Sequence, residues 1–333
     1  MTIIKEKLSD LKEKYEKAEK LVEEESKNDT EVEPYKSHYA AKDILIEIQN
    51  NLKNILFEYS NSDQDGDALV YKCILGYIYK DIGRICIWTD ELSNGEQFLQ
   101  KCLDTLEPIK LNAECVNAYL GALNQIGILW SNRQNPLKSK EYLKRAEELY
   151  KEFKGTGNIP LTIYDVFGTK HEVEVGKGMD VLEKIHTLTL YYLAQIYGSL
   201  DDLHGSAMYC HTTLQRQLDF NDYEAIDWSL NSATLSQYFF MNNRNSESRH
   251  HLAAAQYMLD KHESEMYTDQ QNEEERGAIL ERFRHRSADI MRCWAKYGLN
   301  LLSESKNRLI NDTGDDDEDS DKKGTNKVLG KYF

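Results

Sequence analysis

The first 26 residues place Ile4, Leu8, Leu11, Tyr15, Ala18 and Val22 at alternating steps of four and three, with Glu and Lys between them. That heptad period marks an amphipathic helix. The stripe suits either a homodimeric coiled coil or a single helix laid on its neighbour. The run NDTEVEP (Asn28 to Pro34) breaks the pattern, and Ile44, Leu45, Ile48, Leu52 and Ile55 then line one side of a second helix.

Further along, four segments share one arrangement at fixed offsets although their letters differ. They are Ile82, Gly83, Cys86, Gly95, Leu99, Cys102; Ile126, Gly127, Trp130, Ser139, Leu143, Ala146; Leu193, Ala194, Tyr197, Ser206, Cys210, Thr213; and Leu235, Ser236, Phe239, Ser248, Leu252, Ala255. In each, a large apolar residue precedes a small one, a bulkier one follows three later, another small one nine after that, and then a second apolar stripe. This is the pattern of tetratricopeptide repeats. Small residues at the second and fourth positions let two antiparallel helices approach closely, while the larger ones fill the space above and below the crossing. Neither helix can bury its stripe alone, so an all-α stack of such pairs is expected.

The units start 44, 67 and 42 residues apart, longer than the usual period of about 34, which predicts extended helices or loops. The longest interruption, Lys154 to Asp180, is rich in Gly and β-branched residues and reads as a mobile loop more readily than as an ordered hairpin. Asp260 to Gly277 reads as an acidic connection to a last helix through Ile290, Trp294 and Leu301. The expected organisation is an N-terminal heptad helix over 1–30, an α-solenoid over 31–310, and an acidic disordered tail over 311–333.

Charge narrows the function classes. The formal net charge of −16 argues against nucleic acid, because phosphate contacts need a surplus of Lys and Arg. A basic partner fits better, although the run DDDEDSD (Asp315 to Asp321) accounts for part of the excess. The six cysteines, Cys73, Cys86, Cys102, Cys115, Cys210 and Cys293, show no CxxC pair and read as reduced thiols of a cytoplasmic protein. No stretch of about 18 apolar residues suggests membrane insertion.

Candidate chemistry is sparse. His250 and His251 are adjacent on a helix and point about 100° apart, so they do not form the i, i+4 pair that holds a metal. Cys210 and His211 fail likewise, and the basic run RFRHRS (Arg282 to Ser287) reads as a solvated helical face. No GxxxxGK, GxSxG or HExxH occurs. No catalytic residue, metal site or cofactor is expected. A chaperone-tail clamp would need basic inward positions, and these fall at Lys80 and Arg84, Asn124 and Ile128, Tyr191 and Gln195, Ala233 and Gln237. Only the first unit is basic. What remains is polar and aromatic: Tyr192 and Gln195 stand at i, i+3, and Thr234 and Gln237 repeat those positions 42 residues on. Either they form a shared binding face or they satisfy only their neighbours.

The stretches EPYKSHYAAKDIL, TDELSNGEQFLQKCL, NQIGILWSNR, LYYLAQIY, YCHTTLQRQL, ATLSQYF and RCWAKY, in that order from about residue 33 to residue 300, resemble the KIF-binding protein family, regulators of kinesins in axonal transport. The resemblance implies a right-handed α-solenoid of tetratricopeptide-like pairs that grips kinesin motor domains by its concave face and keeps them off the microtubule, in the cytoplasm and at the cytoskeleton. Carried over by position, the motor-facing residues of its inner helices fall at Tyr192, Gln195, Gln217 and Thr234, and the repeat spacing adds Gln237. The loop Asp260 to Gly277 matches another motor-facing position, with a dissimilar sequence. Family members are about twice this length, so the chain reads as the N-terminal half, whether a fragment, an incomplete gene prediction or a short isoform. The alternative function is a general tetratricopeptide scaffold holding a partner helix or peptide. Oligomeric state is left open.

Overall fold

The computed structural model describes residues 2–60, 65–168, 176–221 and 223–266, and beyond them 277, 280–281, 283–285 and 287–299. Among the described residues the chain is all-α, without strands. The acidic run Asp315 to Asp321, the 311–333 tail and Leu301 lie outside them. The chain divides into two compact units, Met1–Ile196 and Tyr197–Phe333.

The first unit holds α1 (Thr2–Glu23), α2 (Lys36–Ser60), α3 (Asp65–Trp88), α4 (Leu92–Leu106), α5 (Val116–Asn132), α6 (Pro136–Thr156), the single-turn α7 (Ile163–Val166) and α8 (Lys177–Ser199), whose last turn passes into the second unit. The heptad stripe of α1 is used inside the chain: Leu11, Tyr15, Ala18 and Val22 are buried in one core with Leu45, Ile48 and Leu52 of α2. The reading in which a single helix lies on the next is the one the structure shows. Full burial of each large side chain in this seam stabilises by roughly 1.5–3 kcal/mol.

The pairs α3–α4 and α5–α6 have the close crossings that the small residues required. A Cβ added at Gly83 would sit 2.7 Å from Leu99 Cγ and 3.2 Å from the Gly95 carbonyl, and one at Gly127 would sit 2.7 Å from Leu143 Cγ. Ser139, buried at the second small position of its pair, donates its hydroxyl to the Gly127 carbonyl at 2.7 Å. The second unit contains α9 (Leu203–Asp219), α10 (Ala225–Met241), α11 (Asn245–Met266) and a last helical stretch, 287–299. Here Ser248 and Leu252 of α11 and Leu235 and Ser236 of α10 are buried, as the fourth set of anchors requires.

The four sets share one more position. Eight residues after each first anchor stand Asp90, Gln134, Asp201 and Asn243, all left-handed, with φ of 61°, 56°, 60° and 57°. The next residue's N–H reaches back to the bulky anchor's carbonyl: Glu91 to Cys86 at 2.7 Å, and Asn135 to Trp130, Asp202 to Tyr197 and Arg244 to Phe239, each at 2.9 Å. This is a Schellman closure, which caps the first helix and reverses the chain in three residues.

Two expectations need correction. The interruption Lys154 to Asp180 is not simply a mobile loop: α6 continues to Thr156, residues 160–167 are buried or half-buried, and α8 begins at Lys177. Ile163, Val166 and Phe167 are buried in the first unit's core, and Thr162 and Asp165 close a capping box on α7. Residues 169–175 lie outside the described set. Likewise Asp260 to Met266 continues α11 and is not a connection. The rest of the acidic segment is largely outside the described residues.

Candidate partner-binding site

Helix α8 carries the candidate residues of the first unit, and its inner face is fixed by polar as much as apolar packing. Asn124 of α5 donates its amide to the Ile185 carbonyl and accepts from the Thr189 hydroxyl, both at 2.9 Å. Tyr150 of α6 stacks on His186 at 3.5 Å, with rings 5° from parallel, and donates its hydroxyl to buried Glu183 at 2.7 Å. With Leu190, Leu193 and Ile196 also buried, the remaining stripe is Leu188, Tyr191, Tyr192 and Gln195. Leu188 is 39% exposed and Gln195 is exposed. Tyr191 and Tyr192 meet edge to face at 5.3 Å. Burial, then the neighbouring Tyr191, push the Tyr192 phenol above its ordinary range, so at neutral pH it is a hydrogen-bond donor.

The second unit carries Gln217, Thr234 and Gln237. Gln217 stands on α9, the second helix of its pair, and not on a first helix as the inner-face assignment required. Its side-chain carbonyl is buried and has no hydrogen-bond partner among the described residues. Thr234, half-buried on α10, donates back to the Leu230 carbonyl at 2.9 Å. Gln237 donates its amide to the Cys293 thiol at 2.8 Å, so the last helical stretch packs against this position. Burial holds that thiol above its ordinary range, and it stays protonated. One turn beyond Gln237, Met241 is 52% exposed.

The basic inward pair Lys80 and Arg84 is partly neutralised. Between Lys80 and Arg84 lies Asp81, buried at 3% exposure, with its carboxylate 3.2 Å from Lys80 and 3.5 Å from Arg84 and accepting from Tyr15 at 2.9 Å. Burial alone would raise this carboxyl, but the two cations and the tyrosine hydroxyl outweigh it and hold it below the usual range. Sequence spacing identified the two cations and passed over the carboxylate between them.

Of the adjacent histidines on α11, His250 is exposed. His251 is buried and stacks on Phe239 at 5.2 Å, His211 approaches it at 5.3 Å, and Arg244 lies 4.6 Å from the Phe239 centroid. Burial first, then the facing histidines, lower the His251 pKa to about 4. Among the described residues no three His, Cys, Asp or Glu side chains converge as metal ligands, and no helix is long and apolar enough to cross a membrane.

Stacked helix pairs of this kind define a helical-repeat fold, in which each pair buries its apolar stripes against its neighbours. Residues 226–331 match the family model described as "KIF-1 binding protein C terminal". Over 321 residues the chain is 43% identical to the KIF-binding protein of Drosophila melanogaster, covering 95% of this chain and 54% of the relative. It is 38% identical to that of Gallus gallus, covering 92% and 50%. Among solved structures, the cryo-EM structure of the KIFBP core is 30% identical, with a TM-score of 0.58, and matches 90% of this chain and 91% of that one. A structure titled "Kinesin binding protein (KBP)" matches at 30% identity with a TM-score of 0.63, over 90% of this chain and 54% of that one. The chain belongs to the KIF-binding protein family, and spans about half the length of the curated relatives it matches.

Proposed function

We propose that this chain is a non-enzymatic regulator that binds kinesin motor domains and lowers their attachment to microtubules, acting in the cytoplasm in microtubule-based transport. The observation that carries the reading is the match, over nearly all of the chain, to relatives named for binding a kinesin. The mechanism is steric: a motor held on its track-binding side cannot also sit on the track. The charge balance supports it, because a motor surface suited to acidic tubulin is basic, and a chain of net charge −16 complements it. That complementarity favours fast encounter and partner choice more than raw affinity.

In this reading Tyr192 and Gln195, with Leu188 and Tyr191 beside them, form the first unit's contact stripe. Gln217, Thr234 and Gln237 are the second unit's candidates. The test is direct binding of a purified kinesin motor domain to the chain and to a Tyr192→Ala/Gln195→Ala variant. Truncating two such contacts is expected to weaken binding by about tenfold or more. Binding unchanged by the variant, in a pull-down dominated by chaperone tails or adaptor peptides, would favour the general scaffold instead.

A further inference from the structure

The first helices of the three pairs in the first unit, α1, α3 and α5, share a face covered by a segment of the same chain. Residues 157–168 leave the end of α6 and run across all three. Pro160 biases Ile159 toward extended backbone. The Leu161 N–H then donates to the Ala113 carbonyl, just ahead of α5, at 2.8 Å. The Leu161 carbonyl accepts from the Tyr77 hydroxyl of α3 and from the Asn117 amide of α5, both at 3.3 Å, and the same amide reaches the Gly178 carbonyl at 3.0 Å.

Aromatic anchors follow. Phe167 and Tyr164 pack on Tyr15 of α1, with centroids 5.9 and 6.1 Å apart, and the Tyr164 hydroxyl donates to Glu19. Lys12 lies 6.0 Å from the Tyr164 ring centroid. Ile163, Val166 and Phe167 are buried. A backbone carbonyl clamped by a tyrosine of α3 and an asparagine of α5, followed by apolar side chains seated between helices, combines main-chain hydrogen bonding with side-chain anchors, as peptide recognition does.

We infer that the α1–α3–α5 face of the first unit is a peptide-binding face whose resident ligand is the chain's own segment 157–168, acting as an intramolecular strap. The face takes a peptide with the chemistry of that segment: a proline-led stretch, then one helical turn carrying aliphatic and aromatic anchors in the pattern Leu-x-Ile-Tyr-x-Val-Phe. A tethered ligand acts at an effective concentration of about 1 mM, so an outside peptide with a micromolar intrinsic affinity is weakened about a thousandfold while the strap is seated. This inference does not depend on the kinesin reading. It concerns a face to which that reading assigns no contact.

The test uses the full chain and a variant in which residues 159–167 are replaced by a Gly/Ser run of equal length, probed with a labelled synthetic peptide of residues 157–168. The replaced chain is expected to bind the peptide at least about tenfold more tightly than the parent. A peptide carrying Tyr164→Ala and Phe167→Ala should lose that binding. A replaced chain that still melts cooperatively yet ignores the peptide overturns the inference. If the replaced chain does not fold, chymotrypsin cleavage after Tyr164 and Phe167 decides, comparing the parent with Tyr77→Phe/Asn117→Ala. Cleavage about tenfold faster in the clamp variant is the expected result, because two bonds to the strap are gone. Equal protection in both chains would overturn it.

Discussion

Adding a single methyl group at Gly83 tests the close helix crossing on which the repeats rest. In Gly83→Ala the new carbon would lie 2.7 and 2.9 Å from Leu99 Cγ and Cδ2 and 3.2 Å from the Gly95 carbonyl oxygen. Leu99 is fully buried and the oxygen is backbone, so neither has room to yield. Overpacking of this kind costs about 1–3 kcal/mol, against which Ala gains about 0.5–1 kcal/mol over Gly within a helix. The net expectation, from the middle of the two ranges, is a loss of about 1 kcal/mol, and at most about 2.5 kcal/mol. Gly155, exposed in the last turn of α6 with nothing within 4 Å of an added carbon, supplies the control. There the propensity gain acts alone, and Gly155→Ala should stabilise by up to about 1 kcal/mol. Urea unfolding followed by far-ultraviolet circular dichroism reads both. A Gly83→Ala chain as stable as the parent, or a Gly155→Ala chain that loses as much, would refute the close-approach reading.

The turn positions give the opposite sign. Gln134 is left-handed at φ 56°, so Gln134→Gly should stabilise by about 1 kcal/mol in the same unfolding experiment. For pH, His251 is neutral in the folded chain, with its pKa lowered to about 4, while His211 is lowered too and Arg244, Glu247 and His250 are the charged or titratable groups facing the cluster. An unfolded histidine binds its proton near pH 6.5. Stability is therefore fully present above that pH and falls as pH drops toward about 4, at up to about 1.4 kcal/mol per pH unit for His251. Melting midpoints of His251→Leu should show a flatter acid limb. Motor binding should weaken as salt rises, since screening acts within about 10 Å at 0.1 M. Salt-independent affinity in a titration would assign the association to the polar and aromatic stripes.

Periodicity carried the fold because each anchor had to be the right size to sit where it does. Gly83, Gly127, Ser139 and Ser248 were readable as crossing points from spacing alone, and the buried α1 stripe was readable as one of two options. The left-handed residue at each turn was in the sequence too, at a constant offset. It varies as Asp, Gln, Asp and Asn: Asp and Asn tolerate the left-handed conformation, whereas Gln134 bears its cost, so no single letter marks the turn.

The strap was missed for a different reason. Its Gly and β-branched content resembles a loop, and its Ile163, Val166 and Phe167 join a core built from residues far away in sequence, Phe167 meeting Tyr15. Of the candidate site, Tyr192 and Gln195 were legible as leftovers from the α8 seam. The pairing of Gln237 with Cys293 was not, because nothing in the α10 spacing signals which face of the last helical stretch meets it.

The most direct test of the central claim is microtubule co-sedimentation of a kinesin motor domain with increasing amounts of the purified chain. The account predicts that the motor moves from the pellet to the supernatant in proportion to added chain, and that the Tyr192→Ala/Gln195→Ala variant needs a higher concentration to do it. A panel of kinesin motor domains that neither bind the chain nor leave the microtubule pellet would contradict it.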